Sequence, residues 1–124
     1  MDKKKVMVVD DSKFVLLEFK KIFEDTEFEI VKFCQSGEEA IAEYGNILPD
    51  IVLMDIIMPG IDGIEASRAI RSEWNNARIL VVSSLVFDEV IDSVDSFGGI
   101  GVIEKPIQRE KLLETMRKAV SSGI

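Results

Sequence analysis

Short apolar runs alternate with amphipathic segments along this chain of 124 residues, and no other feature restricts its fold as strongly. Four of the runs are rich in Val, Ile, Leu and Met without polar alternation, and a fifth, Phe28–Phe33, alternates more weakly. Such runs are typical of strands covered on both faces in a parallel sheet. Apolar residues recur at helical spacing in the segments between them. The predicted strands are Val6–Val9, Phe28–Phe33, Ile51–Met54, Ile79–Val82 and Ile100–Ile103. The predicted helices are Lys13–Asp25, Ser36–Tyr44, Asp62–Trp74, Val86–Phe97 and Gln108–Val120.

This alternation predicts one α/β domain. Because crossovers between parallel strands are right-handed, the strands should form an open sheet with helices on both faces. Two helix starts carry capping-box patterns, Ser36 with Glu39 and Asp62 with Glu65. No linker or repeat interrupts the pattern, so we expect a single domain over residues 1–124.

Composition argues against several functional classes. Fifteen basic against 23 acidic residues give a net charge of −8, which disfavours direct binding to nucleic acid. The chain has no histidine, which excludes a Ser-His-Asp triad and a histidine-ligated zinc site. Its apolar runs are far shorter than the ~20 residues of a membrane-spanning helix. The single cysteine, Cys34, fits a reducing compartment, so we expect a cytoplasmic protein without membrane insertion.

Polar residues follow four of the predicted strands. Asp10 and Asp11 follow the first strand, Asp55 the third, Ser83 the fourth and Lys105 the fifth. Parallel strands all end at the same edge of the sheet, where open α/β sheets bind ligands. Oxygen ligands without histidine or cysteine favour Mg²⁺. A carboxylate can also attack phosphorus, with Mg²⁺, an ammonium group and a hydroxyl neutralising the phosphoryl oxygens.

An ordered set of motifs extends this argument to the whole chain. They are Val8-Val9-Asp10-Asp11, the segment from Asp55 to Gly63 (DIIMPGIDG), Ser83, Gly98, Gly101 and Lys105-Pro106. With this set the chain resembles the receiver domains of two-component response regulators. The resemblance implies a flavodoxin-like (βα)5 three-layer sandwich with a parallel five-stranded sheet in the order 2-1-3-4-5.

The resemblance also implies a role for each polar residue. Asp55 is the expected phosphoacceptor, with Lys105 and the Ser83 hydroxyl contacting the phosphoryl oxygens and a cis peptide bond at Lys105-Pro106. Asp11 and Asp55 would bind Mg²⁺ together with the main-chain carbonyl of Ile57, and Asp10 would bind it through water.

As a receiver, the protein would be a phosphorylation-dependent switch and not an enzyme. The phosphoryl group would come from a sensor histidine kinase, a phosphotransfer protein or a small phosphodonor. The sequence given ends after the fifth predicted helix, so we expect no output domain in this chain. We therefore expect the signal to pass to a separate target protein, unless the chain is part of a longer regulator. Phe14 and Leu17, beside the acidic crevice, are expected either to dock the kinase or phosphotransfer protein or to be peripheral core.

Two positions depart from the family pattern. Val102 stands where receivers usually carry an aromatic switch residue, and Ser84 where they usually carry alanine or glycine. Ile57 and Leu85 occupy positions where other receivers hold the hydrolytic water, which predicts slow loss of the phosphoryl group. Three alternatives stay open: a phosphorelay intermediate, a pseudo-receiver scaffold that Val102 favours, and a Mg²⁺-dependent phosphohydrolase. Ile57 disfavours the hydrolase, because haloacid dehalogenase-type hydrolases carry a second acid there.

Overall fold

Five strands and five helices alternate along residues 2–121, the part of the chain that the computed structural model describes. The strands are β1 (Lys4–Val9), β2 (Phe28–Cys34), β3 (Ile51–Met54), β4 (Ile79–Ser83) and β5 (Gly101–Glu104). The helices are α1 (Lys13–Phe23), α2 (Gly37–Ile47), α3 (Gly63–Glu73), α4 (Asp88–Phe97) and α5 (Arg109–Ser121). All strand pairs are parallel and the order is β2-β1-β3-β4-β5. The predicted flavodoxin-like sandwich is confirmed.

The sheet lies between two helical layers. In β1, Val6 and Val8 pack towards α1 and α5, whereas Met7 and Val9 pack towards α2 and α3. A third cluster joins β4 to α4 through Val81. Both faces of the central strands are therefore covered, which is why Val6–Val9, Ile51–Met54 and Ile79–Val82 are apolar throughout.

Several predicted strand boundaries moved because strand pairing is a property of the backbone. β1 begins at Lys4, two residues earlier than predicted, and this exposed lysine pairs with Phe28. β5 covers Gly101–Glu104 in place of Ile100–Ile103, since Glu104 pairs with Ser83. The exposed ends of these strands lack the apolar signal that a sequence pattern can detect.

The two predicted helix caps are present. The Ser36 hydroxyl accepts a hydrogen bond from the Glu39 amide at 3.1 Å, and the Asp62 carboxylate accepts one from the Glu65 amide at 2.9 Å. These caps place the starts of α2 and α3 next to the loops that follow β2 and β3. No helix within residues 2–121 is long and apolar enough to cross a membrane.

Candidate functional site

The register of the sheet brings the ends of β1 and β3 together. Val9 pairs with Met54, and the Asp55 amide donates to the Val9 carbonyl at 2.9 Å. Asp10, directly after β1, therefore lies beside Asp55. At the ends of β4 and β5, the Lys105 amide donates to the Ser83 carbonyl at 2.9 Å. The strand ends thus meet at one edge, as the sequence predicted.

Three carboxylates form a cluster at this edge. One oxygen from each of Asp10, Asp11 and Asp55 lies within 4.8 Å of those from the other two. Asp10 is only 3% exposed and Asp55 only 7%, whereas Asp11 is open to solvent. This combination of two shielded acids and one accessible acid can hold a divalent cation, because such ions prefer oxygen ligands and keep part of their water shell.

Lys105 connects two of the three acids. Its Nζ lies 3.0 Å from Asp10 Oδ2 and 3.5 Å from Asp55 Oδ1. Burial alone would lower the pKa of Lys105, but the contacts with Asp10 and Asp55 outweigh it and raise the pKa above its usual value. The ammonium group is therefore charged throughout the physiological range.

Asp55 lies in an environment that disfavours its charged form. Burial raises the pKa of this carboxyl and the nearby Asp10 carboxylate raises it further, while Lys105 and the Ile56 amide only partly offset them. The cluster of three carboxylates thus holds the ammonium group of Lys105, which contacts only Asp10 and Asp55. A bound cation would relieve the excess negative charge.

Local hydrogen bonds orient the two buried carboxylates. Asp10 Oδ1 accepts from the Ser12 amide at 2.9 Å, in the turn that leads into α1. Asp55 Oδ1 accepts from the Ile56 amide, also at 2.9 Å. Both side chains are therefore held before any ligand binds, and the Oδ2 atom of Asp55 is left for other contacts.

Ser83 is the last residue of β4, and Ile57 lies two residues after Asp55 in the loop that follows β3. Ser83 is fully buried, and its Oγ accepts from the Leu85 amide at 3.0 Å. That bond leaves the hydroxyl proton free to be donated elsewhere. The Ile57 side chain is 59% exposed and points away from the core. The Lys105-Pro106 peptide bond is cis, as expected.

Gly63 has a steric role that the sequence did not reveal. A Cβ atom at this first residue of α3 would lie 1.9 Å from the carbonyl oxygen of Asp55. The Gly63 amide also donates to the Ile56 carbonyl at 2.8 Å. Although Gly63 belongs to a motif noted above, nothing in its spacing indicates that α3 touches the backbone of Asp55.

The family model of the response regulator receiver domain matches residues 6–117. The chain belongs to this family. It is 34% identical to the chemotaxis protein CheY of Listeria monocytogenes over 115 residues, covering 93% of this chain and 97% of that protein. It is also 34% identical to CheY of Halobacterium salinarum over 119 residues, covering 96% and 98%.

The fold of this receiver domain matches solved structures of its relatives. One of these structures is the complex of CheX, CheY, BeF3 and Mg²⁺ from Borrelia burgdorferi. A chain of that complex superposes on this protein with a TM-score of 0.90 and shares 33% sequence identity with it, and the match covers 94% of this chain and 89% of that one. Receivers of this CheY-like class are signalling domains and not classical enzymes. The acidic cluster of this one is able to bind a metal.

Two apolar residues near the receiver's acidic edge are exposed. Phe14 is 82% and Leu17 is 59% accessible to solvent on α1. The possibility that they are peripheral core is therefore wrong. In α1, Phe19 and Phe23 are buried in the core and Val15 and Ile22 pack against it. Phe14 and Leu17 therefore form an apolar outer face on the first two turns.

Proposed function

We propose that this protein is a phosphorylation-dependent switch that accepts a phosphoryl group on Asp55. The observation that carries the proposal is the geometry of Lys105, whose ammonium joins Asp55 to Asp10 at a buried edge of the sheet. Such a cation, fixed beside a carboxylate, neutralises charge where phosphoryl oxygens gather during transfer.

In the proposed reaction, Oδ2 of Asp55 attacks the phosphorus of the donor, since Oδ1 already accepts from the Ile56 amide. The new bond joins this oxygen to phosphorus, and the bond from phosphorus to the donor nitrogen or oxygen breaks. The donor leaves with the electron pair and takes up a proton from solvent. Lys105 and the Ser83 hydroxyl donate hydrogen bonds to the phosphoryl oxygens.

The chemistry of the donor set fits Mg²⁺. We propose that Asp11, Asp55 and the main-chain carbonyl of Ile57 bind it directly and that Asp10 binds it through water. When bound, Mg²⁺ supplies positive charge that reduces repulsion between the attacking carboxylate and the phosphoryl oxygens. The clustering of the three carboxylates around a single ammonium group supports this assignment.

We propose that the donor is a sensor histidine kinase or a phosphotransfer protein and that the signal passes to a separate target protein. The exposed apolar pair Phe14 and Leu17, next to the acidic edge, supports contact with such a donor. Similarity to the Borrelia CheY, which was solved with BeF3, Mg²⁺ and CheX, supports both the chemistry and a protein target. The free, buried thiol of Cys34 suits a cytoplasmic location.

Labelling tests the phosphoacceptor. With Mg²⁺ and acetyl phosphate, the wild type should gain one acyl-phosphate group, detected by intact-protein mass spectrometry. Asp55→Asn should abolish this gain, whereas Asp92→Asn, which removes an exposed acid of α4, should leave it intact. Undiminished labelling of Asp55→Asn would contradict the assignment.

Calorimetry tests the metal ligands. Asp11→Ala should weaken Mg²⁺ binding, because it removes the most accessible carboxylate of the cluster. An unchanged affinity would remove Asp11 from the ligand set.

Switching should involve the loop after β4, because Ser83 Oγ is bonded to the Leu85 amide. If Ser83 shifts towards the phosphoryl group, Leu85 and the start of α4 should move with it. Phosphate need only favour one arrangement of this loop over another. Amide chemical-shift changes upon phosphorylation should therefore concentrate in residues 83–97. Changes confined to the immediate phosphate ligands would favour the scaffold alternative.

A further inference from the structure

Glu38, in the first turn of α2, contacts the loop that follows the phosphoacceptor. This loop, residues 55–62, is called the acceptor loop here. Glu38 Oε2 accepts a hydrogen bond from the Ile61 amide at 3.2 Å, although the two residues are 23 positions apart. α2 therefore holds the acceptor loop through a carboxylate outside the acidic cluster.

Gly60 allows the Glu38 carboxylate to approach the loop backbone. Its φ of +83° is a conformation that other residues rarely adopt. A Cβ atom at Gly60 would lie 2.5 Å from Glu38 Oε2 and 3.0 Å from the carboxyl carbon. Next to Glu38, a Cβ atom at Gly37 would lie 2.8 Å from the Ile61 side chain. Two successive residues of α2 thus pack closely against Gly60 and Ile61 of the loop.

The ends of the acceptor loop are held by other bonds. The Asp55 amide donates to the Val9 carbonyl at 2.9 Å, and the Gly63 amide donates to the Ile56 carbonyl at 2.8 Å. Glu38 adds a third point of attachment, on the far side of Ile57 from Asp55. A loop held at a third point, here at Ile61, samples fewer conformations than one held at two points alone.

We propose that Glu38 is a positioning residue that holds the acceptor loop so that the Ile57 carbonyl faces the metal. This inference rests on the proposed function, in which that carbonyl binds Mg²⁺. Without the Glu38 bond, the loop would present the carbonyl for only part of the time. The apparent affinity for Mg²⁺ would then equal the intrinsic affinity multiplied by that fraction.

Calorimetric titration with Mg²⁺ alone tests the proposal on the full chain. Glu38→Ala should weaken Mg²⁺ binding by about three- to tenfold, the range expected for one partly exposed hydrogen bond. Glu38→Gln keeps an acceptor oxygen at the same reach and should bind within about twofold of wild type. Glu43→Ala removes another acid of α2, one that pairs with Lys32, and should leave the affinity unchanged.

A second variant tests the same contact from the loop side. Gly60→Ala should also weaken Mg²⁺ binding, because its methyl group displaces the Glu38 carboxylate. The double variant with Glu38→Ala should lose less affinity than the two single losses combined, since both changes remove one contact. Fully additive losses would show that the two residues act independently and would overturn the proposal.

Amide hydrogen exchange in metal-free protein separates this proposal from the proposed function. Exchange at Ile61 should be faster in Glu38→Ala and return to the wild-type rate in Glu38→Gln. If wild type binds Mg²⁺ and Glu38→Ala binds it equally well, or if glutamine does not restore the loss, the positioning role is wrong. If wild type binds no Mg²⁺, the proposed function fails, and the exchange at Ile61 alone decides whether Glu38 holds the loop.

Discussion

Replacing Gly63 by alanine should disturb Asp55, the proposed phosphoacceptor, more than any other single methyl group added near the site. The new Cβ would lie 1.9 Å from the carbonyl oxygen of Asp55, 2.8 Å from its carbonyl carbon and 3.0 Å from the Cα of Ile56. All three atoms belong to the backbone, so no flexible side chain can move aside. The start of α3 and the end of β3 must separate.

The size of the effect follows from this geometry. Real Cβ atoms essentially never come closer than 3.0 Å to such atoms, so the contact must open by about 1.1 Å. Overpacking of this kind costs about 1–3 kcal/mol. Loss of the hydrogen bond from the Gly63 amide to Ile56 adds about 1 kcal/mol. The free energy of unfolding should fall by roughly 2–4 kcal/mol, and Tm by roughly 8–15 °C for a domain of this size.

Thermal unfolding followed by circular dichroism measures this loss, and the rate of labelling by acetyl phosphate measures the displacement of Asp55. Gly101→Ala is the matched control, because a Cβ atom there has no neighbour within 4 Å. It should change Tm by no more than about 2 °C. A Gly63→Ala variant with the Tm and labelling rate of wild type would show that α3 does not constrain Asp55 as argued here.

Three further outcomes are expected. Burial raises the pKa of the Cys34 thiol to about 12. The thiol of the unfolded chain ionises near pH 8.5. Between about pH 9 and 12, the free energy of unfolding of wild type should therefore fall by about 1.4 kcal/mol per pH unit relative to that of Cys34→Ala, as measured by urea unfolding. Parallel pH profiles of the two proteins would contradict this. Ser67→Ala should raise Tm by about 3–5 °C in calorimetry, since the Ser67 hydroxyl is buried without a hydrogen-bond partner within the described residues. The control is Ser72→Ala, because the wild-type Ser72 hydroxyl is exposed and donates to the Ala69 carbonyl at 2.8 Å. An equal gain in Tm in both variants would indicate an effect of helix propensity instead. Finally, the side chains of Ile57 and Leu85 are 59% and 36% exposed and cannot form hydrogen bonds with water. The double variant Ile57→Asn, Leu85→Glu should therefore lose the phosphoryl group faster than wild type after the donor is removed. Equal decay rates would refute a protective role for these two side chains.

The sequence predicted elements best where chemistry changes abruptly at their ends. β3 was predicted at its observed bounds, Ile51–Met54, because a proline and an aspartate precede it and an aspartate follows it. The start of β1 was missed because Lys4 pairs through its backbone while its side chain is exposed. Main-chain pairing leaves no trace in hydropathy when the side chain faces water.

The site was predictable in part, for the same kind of reason. Parallel strands end at one edge, so the proximity of Asp10, Asp55 and Lys105 followed from their places after apolar runs. The contacts of Glu38 and Gly63 could not be predicted in this way, because they depend on how closely two backbone segments approach. Such distances result from helix packing and are not encoded in the spacing of residue types.

The bridge made by Lys105 has a consequence for biosynthesis. Lys105 lies 95 positions after Asp10 and 50 positions after Asp55 in the chain. A ribosome makes the N-terminal part first, so Asp10 and Asp55 leave it well before Lys105 does. A nascent chain that lacks β5 has both acids but neither their ammonium partner nor the edge strand that places it beside them. Competence to receive a phosphoryl group should therefore appear late in translation, when the final strand joins the sheet.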